Sequence, residues 1–194
     1  MKLHWPPSTQ LSPIPAVIVS VASADGLTSN LITIAWTGIV CSKPPMCYIS
    51  VRPDRYSHQL LKESGEFAIN LTTKAMARAT DLLGVISGRK SNKWEASALT
   101  PCPAHVIKAP LVAESPLSLE CRTKEIITLG SHDMFIADIV GVAVEESLVL
   151  PDGKLDLAQS DLLVYSHGEY FSQGDFLGHF GWSVKKKASK NNRK

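Results

Sequence analysis

Short apolar runs alternate with polar turns along the chain, a pattern typical of strands joined by tight connections. Strict alternation of strands with helices is absent, so the pattern favours a sandwich or barrel over a doubly wound sheet. The first three strands are expected to form a β meander. The predicted strands cover residues 16–24, 30–40, 46–51, 66–71, 117–122, 125–129, 134–145, 162–165 and 169–171.

Two helices are predicted among these strands. The first begins after Asp54, which can cap it, and ends at Gly65, a residue suited to the left-handed position that closes a helix. The second runs over 73–83 and ends at Gly84, with apolar residues on one stripe. The segment that follows is expected to be irregular apart from a short turn of helix over 93–96.

Charge and hydropathy narrow the class of protein. The 194 residues include 20 Lys and Arg and 18 Asp and Glu, and six of the cations lie in 185–194. Residues 1–184 thus hold 14 basic and 18 acidic residues, which argues against nucleic-acid binding. The apolar run over 14–22 is shorter than the ~20 residues of a membrane span and lacks the flanks of a signal peptide. We expect one cytoplasmic domain over 1–184, no membrane association and a disordered basic tail over 185–194.

The cysteines carry no metal-binding or disulfide pattern. Cys41, Cys47, Cys102 and Cys121 form no CxxC pair and have no histidine at zinc-site spacing. Four cysteines in a chain of this length do not indicate a disulfide scaffold either. The sequence predicts reduced thiols in a cytosolic protein.

The first candidate site is Asn30, Thr33, Trp36 and Thr37, which follow a loop of small polar residues. Small side chains let a flat ligand approach backbone amides, and Trp36 could wall off one side of it. The same residues also fit an ordinary strand entry with a tryptophan in the core.

The second candidate is Arg52, Arg55, Tyr56 and Ser57, where a predicted strand runs into a helix start. Unpaired backbone N–H groups, the helix dipole and arginine side chains together make a phosphate site. The alternative is a solvated arginine cluster that happens to lie at a helix start.

The third candidate is the loop Ser87-Gly88-Arg89-Lys90 together with Lys93. A glycine-containing loop with three cations could fold over an anionic ligand. Loops of this composition are also common as plain solvated surface.

The fourth candidate is His132, which lies between two apolar predicted strands. A histidine at such a turn can reach the rim of a site and titrates near neutral pH. The alternative is an exposed turn residue without a role.

In order and spacing these pieces resemble the flavin-reductase-like proteins, in particular their flavoredoxin-like branch. The resemblance covers about residues 13–180, and its specificity comes from the order of the motifs. The matching segments are 20–24 before DGLTSN, Asn30-x-x-Thr33-x-Ala35-Trp36, Lys43-Pro44-Pro45, Ser50-Val51-Arg52-Pro53-x-Arg55-Tyr56-Ser57, Gly65-Glu66-Phe67-x-x-Asn70-Leu71, Ser87-Gly88-Arg89-x-x-x-Lys93 and Gly130-x-His132-x-x-Phe135-Ile136.

The resemblance implies a Greek-key split β-barrel that binds FMN non-covalently in a homodimer, near the subunit interface. The segment 30–37, including Ala35, would line the isoalloxazine ring, and the segment 52–57 would hold the phosphate. The remaining positions that match cofactor-binding residues of relatives are Ser87, Gly88, Lys93, His132 and Tyr165. Asp138 stands where relatives often have Gly-Glu, so the surroundings of the site are expected to differ.

The reaction that the resemblance implies is hydride transfer from NAD(P)H to the flavin, followed by onward electron transfer, with His132 as the catalytic candidate. The acceptor could be an oxygenase or another redox partner protein. Two alternatives stay open: an electron carrier that keeps its FMN bound, and a flavin-binding protein without hydride chemistry. The sequence shows no nicotinamide-binding fingerprint. Because this family rarely displays one, its absence does not separate these three functions.

Overall fold

The computed structural model describes residues 1–184, so the predicted basic tail over 185–194 lies outside the described residues. Its helices are α1 (Tyr56–Ser64), α2 (Ala77–Val85) and α3 (Lys93–Ser97), with 3₁₀ turns at Lys74–Met76, Glu146–Leu148 and Trp182–Val184. Its strands are β1 (Ile14–Pro15), β2 (Val17–Ala22), β3 (Ser29–Ile34), β4 (Thr37–Ser42), β5 (Pro45–Val51), β6 (Glu66–Asn70), β7 (Pro101–Cys102), β8 (Leu111–Val112), β9 (Leu117–Leu129), β10 (His132–Val144), β11 (Leu163–Ser166) and β12 (Glu169–Ser172).

Seven strands form the main antiparallel sheet, in the order β3-β2-β6-β9-β10-β5-β4. The predicted meander over the first fifty residues is wrong, because β3 and β4 lie at opposite edges of this sheet. The predicted strand over 30–40 is divided where Ala35 and Trp36 leave the ladder. There the Ser50 N–H donates to the Trp36 carbonyl at 2.8 Å, and the chain crosses toward β5. The predicted mainly β barrel architecture is confirmed.

One buried core packs α1 against the main sheet, and a second packs α2 and α3 against β2 and β3. Leu60 and Leu61 of α1 pack against buried residues of the strands, among them Phe67 and Phe135. The helix ends at Gly65 in the left-handed conformation (φ 67°), as predicted. The predicted cap at Asp54 is wrong, because the residue before the helix is Arg55 and no side chain caps its first turn.

The predicted helix over 73–83 instead begins as a 3₁₀ turn and continues through Gly84 to Val85. The strands predicted over 117–122 and 125–129 form the single strand β9, which pairs with β10 along a long hairpin containing register shifts. The polar residues between the two predicted segments did not end the strand, because β10 pairs with β9 on both sides of them, with a register shift there, whereas β6 stops pairing at Arg122.

A second sheet of three strands, in the order β1-β11-β12, lies outside the main one. The strands predicted over 162–165 and 169–171 are confirmed as its hairpin. Within residues 1–184, no helix has the length and apolar character needed to cross a membrane. The four cysteines are free thiols, with Cys47 and Cys121 buried in the core.

Candidate functional site

A cleft of about 330 Å³ opens where the β3–β4 break, the end of β5 and the small sheet meet. Arginines enter it from the β5–α1 connection, and aromatic residues enter it from the break and from β11. The sequence-predicted residues that line it are Thr33, Ala35, Trp36, Arg52, Arg55, His132 and Tyr165.

A smaller pocket of about 120 Å³ adjoins this cleft, and Ile32 and Arg55 border both. It lies between the first turn of α1 and the loop before α3. The sequence-predicted residues that line it are Asn30, Arg55, Tyr56, Ser87, Gly88 and Lys93. The candidate residues of the main cleft and those of the smaller pocket therefore adjoin each other at Arg55.

Thr37 and Ser57 line neither cavity. The Thr37 hydroxyl donates to the Tyr48 carbonyl at 2.7 Å and holds β4 against β5. Ser57 is fully buried, and its Oγ accepts a hydrogen bond from Asn30 Nδ2 at 2.8 Å. Ser57 therefore orients Asn30, which itself faces the smaller pocket.

The first turn of α1 has the features of an anion site. No side chain caps it, and the first N–H groups of a helix have no partner within the helix. Arg52 is more than half exposed and pairs with Asp54 at 3.3 Å. Arg55 borders both cavities and makes no ion pair among the described residues. Arg55 is thus the arginine best placed to meet an anion at this turn.

Gly88 lies directly on the floor of the smaller pocket. A Cβ at this position would stand 2.4 Å from Asn30 Oδ1 and 2.7 Å from Tyr56 Cδ1, so a larger residue would have to displace the loop or these side chains. The next residue, Arg89, donates to the Asp54 carbonyl at 2.9 Å and lies over the Tyr56 ring. These contacts hold the loop against the start of α1.

Lys93 is buried beside this loop, and its Nζ donates to the Leu83 carbonyl at 2.8 Å. Burial, with a smaller contribution from the nearby charge of Arg55, lowers the pKa of Lys93 to about 8. An anion in the smaller pocket would favour the charged ammonium form and oppose this shift.

Trp36 and His132 form one wall of the main cleft. Trp36 is 40% exposed, so it does not belong to the core. Its indole lies parallel to the imidazole of His132, and the Ser131 hydroxyl contacts Nδ1 of that imidazole at 2.9 Å. His132 is half-buried at the start of β10 and faces a cavity, unlike a free turn residue.

Sequence reasoning missed Asp81 and Tyr170, which also line this cleft. Tyr170 packs edge-on against Tyr165, with ring centroids 5.4 Å apart. Burial raises the pKa of Tyr170, and the charge of Asp81 adds to the shift, so its phenol stays protonated. No motif signalled these residues, because α2 and β12 meet only through the fold.

Comparison with known proteins places this geometry in a family. The family model for the flavin reductase like domain matches residues 11–174. The chain belongs to the flavin reductase-like family. Among solved structures, this family member is similar to the flavoredoxin of Desulfovibrio vulgaris (Miyazaki F), with 32% identity and a TM-score of 0.88. That match covers 95% of this chain and 100% of the flavoredoxin.

Two further comparisons bear on fold and chemistry. A split barrel domain from Shewanella frigidimarina matches at 24% identity and a TM-score of 0.79, covering 88% of this chain and 86% of that one, which shows the fold alone. The FMN reductase (NADH) RutF of Pseudomonas syringae is 24% identical over 106 residues. That match spans 53% of this flavin reductase-like chain and 57% of RutF.

Proposed function

We propose that the protein binds FMN non-covalently and acts as an NAD(P)H-dependent flavin reductase. The observation that carries this proposal is the position of Arg55, which borders both the main cleft and the smaller pocket. A ligand with a flat ring at one end and a phosphate at the other would span the two cavities past this arginine.

The residues present fit such a ligand. The main cleft, at about 330 Å³, has the size of a small-molecule site and presents aromatic and apolar walls. The smaller pocket offers Arg55, Lys93 and the first turn of α1, which are donors suited to a phosphate. Asn30 and Gly88 also line the smaller pocket.

When bound, FMN accepts a hydride and passes its electrons to an acceptor, and the protein supplies orientation and charge. The aromatic side chains of the cleft would pack around the ring; these are Trp36, His132, Tyr165 and Tyr170. Arg55 and Lys93 would stabilise negative charge on the cofactor. His132, half-buried at the cleft, would help to seat the nicotinamide or to hydrogen-bond the ring.

NAD(P)H as hydride donor is supported by the likeness to an NADH-dependent FMN reductase. The physiological acceptor would be a partner oxygenase or another redox protein in the cytoplasm. We propose no nucleic-acid or membrane partner.

A homodimer completes the proposal. Large apolar side chains are exposed along β4, β9 and β10, and a second copy of the chain could cover them. These side chains are Ile39, Ile126, Leu129, Val142 and Val144. An obligate dimer would bury upwards of about 2,000 Å². Sedimentation at micromolar concentration should give twice the 21.1 kDa of one chain, and a monomer would contradict the proposal.

The deciding experiment compares FMN, riboflavin and reduced nicotinamides. Purified protein should bind FMN more tightly than riboflavin, and bound flavin should bleach when NADH or NADPH is added without oxygen. Equal affinity for FMN and riboflavin would contradict the phosphate site. Bound flavin that neither nicotinamide reduces would contradict the reductase assignment.

A second candidate is an electron carrier that retains its FMN, favoured by the 32% identity to a flavoredoxin over that protein's whole length. FMN that survives purification and dialysis, with negligible turnover of added flavin, would support the carrier. Rapid steady-state oxidation of a nicotinamide with added FMN would support the reductase.

A further inference from the structure

His58 and Asp133 form a buried polar pair that no candidate role above uses. His58 Nε2 lies 2.7 Å from Asp133 Oδ2, and each residue is only 7% exposed. The imidazole also packs edge-on against Phe135 of the core. A buried pair this short fixes the distance between the two elements that carry it.

The two ends of the pair lead to the two halves of the proposed site. His58 lies in the first turn of α1, directly after Ser57, and its N–H donates to the Arg55 carbonyl at 3.0 Å. Asp133 follows His132 on β10 and is paired with Val51 on β5. The contact between His58 and Asp133 therefore links the first turn of α1, proposed to hold the phosphate, to the immediate neighbour of His132, which is proposed to face the ring.

Asp133 is held as a carboxylate by its surroundings. The hydrogen bond from His58 lowers the pKa of Asp133, and Thr128 and the charge of Lys62 add to the effect. The carboxylate in turn holds the imidazole in one orientation. Loss of either partner would leave the other buried without its hydrogen bond, which favours a shift of α1 relative to β10.

We propose that His58 and Asp133 are positioning residues that set the spacing between the phosphate-binding turn of α1 and His132. This inference rests on the proposed FMN site. The affinity for FMN, which would be held by its ring and its phosphate, should then depend on the pair. The affinity for riboflavin, which would be held only by its ring, should not.

The test measures dissociation constants for FMN and riboflavin in the full-length protein. His58→Ala and Asp133→Ala should weaken FMN binding by about 10-fold or more and riboflavin binding by less than about twofold, because a displaced turn loses the phosphate contacts. His58→Gln, whose side-chain amide can still donate to Asp133, should restore most of the preference for FMN.

A matched control is Glu120→Gln. Glu120 is equally buried, but its carboxylate accepts from the backbone of His105, Val106 and Ile107, away from both cavities. This variant should lower the melting temperature without changing the ratio of the two dissociation constants. If the His58 and Asp133 variants behave in the same way, the pair only stabilises the fold and the inference is wrong.

Failure of the proposed FMN site would give a different result from failure of the positioning role. Wild-type protein without a preference for FMN would refute the phosphate site itself. A clear wild-type preference that His58→Ala and Asp133→Ala both preserve would refute only the positioning role.

Discussion

The indole of Trp36 and the imidazole of His132 lie parallel within 6°, with ring centroids 6.4 Å apart. Trp36 comes from the break between β3 and β4, and His132 begins β10. The long separation of the two residues in sequence is bridged by β5, which pairs with both β4 and β10. The two rings thus form a continuous aromatic wall that local sequence could not specify.

His132→Ala should lower the rate of flavin reduction by NAD(P)H by about 10- to 1,000-fold, the range expected for a group that positions or hydrogen-bonds a reacting ring. The melting temperature should stay nearly unchanged, because His132 is only half-buried at the first position of β10. Stopped-flow absorbance under anaerobic conditions measures the rate. His105→Ala, at an exposed histidine, is the control, and equal rates in both variants would exclude a role for His132.

The two arginines of the β5–α1 turn should differ in their effect. Arg55→Ala should cost about 1.5–3 kcal/mol in FMN binding, the range for a hydrogen bond to a charged group. Arg52→Ala should cost less than about 1 kcal/mol, because Arg52 is exposed and already paired with Asp54. Calorimetry with FMN and with riboflavin separates the contribution of the phosphate to the binding free energy from the contribution of the ring. A larger loss from Arg52→Ala would place the phosphate outside the smaller pocket.

The proposed anion site could be inferred from the local sequence pattern because its parts are contiguous. Arg52, Arg55 and the helix start lie within a few residues of one another, so a strand-to-helix transition was enough to bring them together. The β meander was predicted wrongly for the opposite reason. Strand order depends on pairing between distant segments, and nothing near residue 36 shows that β3 and β4 end at opposite edges.

Other residues that line the cleft could not be predicted from local sequence either. Tyr165 was identified only by resemblance, and Asp81 and Tyr170 were not identified at all. These three residues meet because the β1-β11-β12 sheet lies beside α2, and these elements are far apart in sequence. His58, given no role by its sequence context, was found only through its contact with Asp133.

Gly88→Ala should weaken FMN binding by about 10-fold or more, because a displaced loop no longer positions its contacts. The added methyl group would collide with Asn30 and Tyr56 and displace either the loop or the Asn30 amide. Gly174→Ala, where a Cβ meets nothing within 4 Å, should leave binding unchanged. Fluorescence titration with FMN compares the two variants, and unaltered affinity in Gly88→Ala would place the ligand away from this loop.

Lys93 should make FMN affinity depend on pH. Its pKa of about 8 without ligand is lowered chiefly by burial, and a phosphate beside it would raise that pKa. Binding then takes up a proton, so FMN affinity should fall by up to about 10-fold between about pH 7 and about pH 9. Lys93→Met should abolish this dependence.

Riboflavin provides the matched comparison for the Lys93 prediction, because it has the same ring without the phosphate. Its affinity should stay nearly constant over the same pH range in both proteins. The stability of the ligand-free wild type should meanwhile rise with pH from about 8 toward the ordinary lysine value of 10.5, since the unfolded chain holds the Lys93 proton more tightly. FMN affinity that is flat with pH in the wild type would show that Lys93 lies too far from the phosphate to sense it.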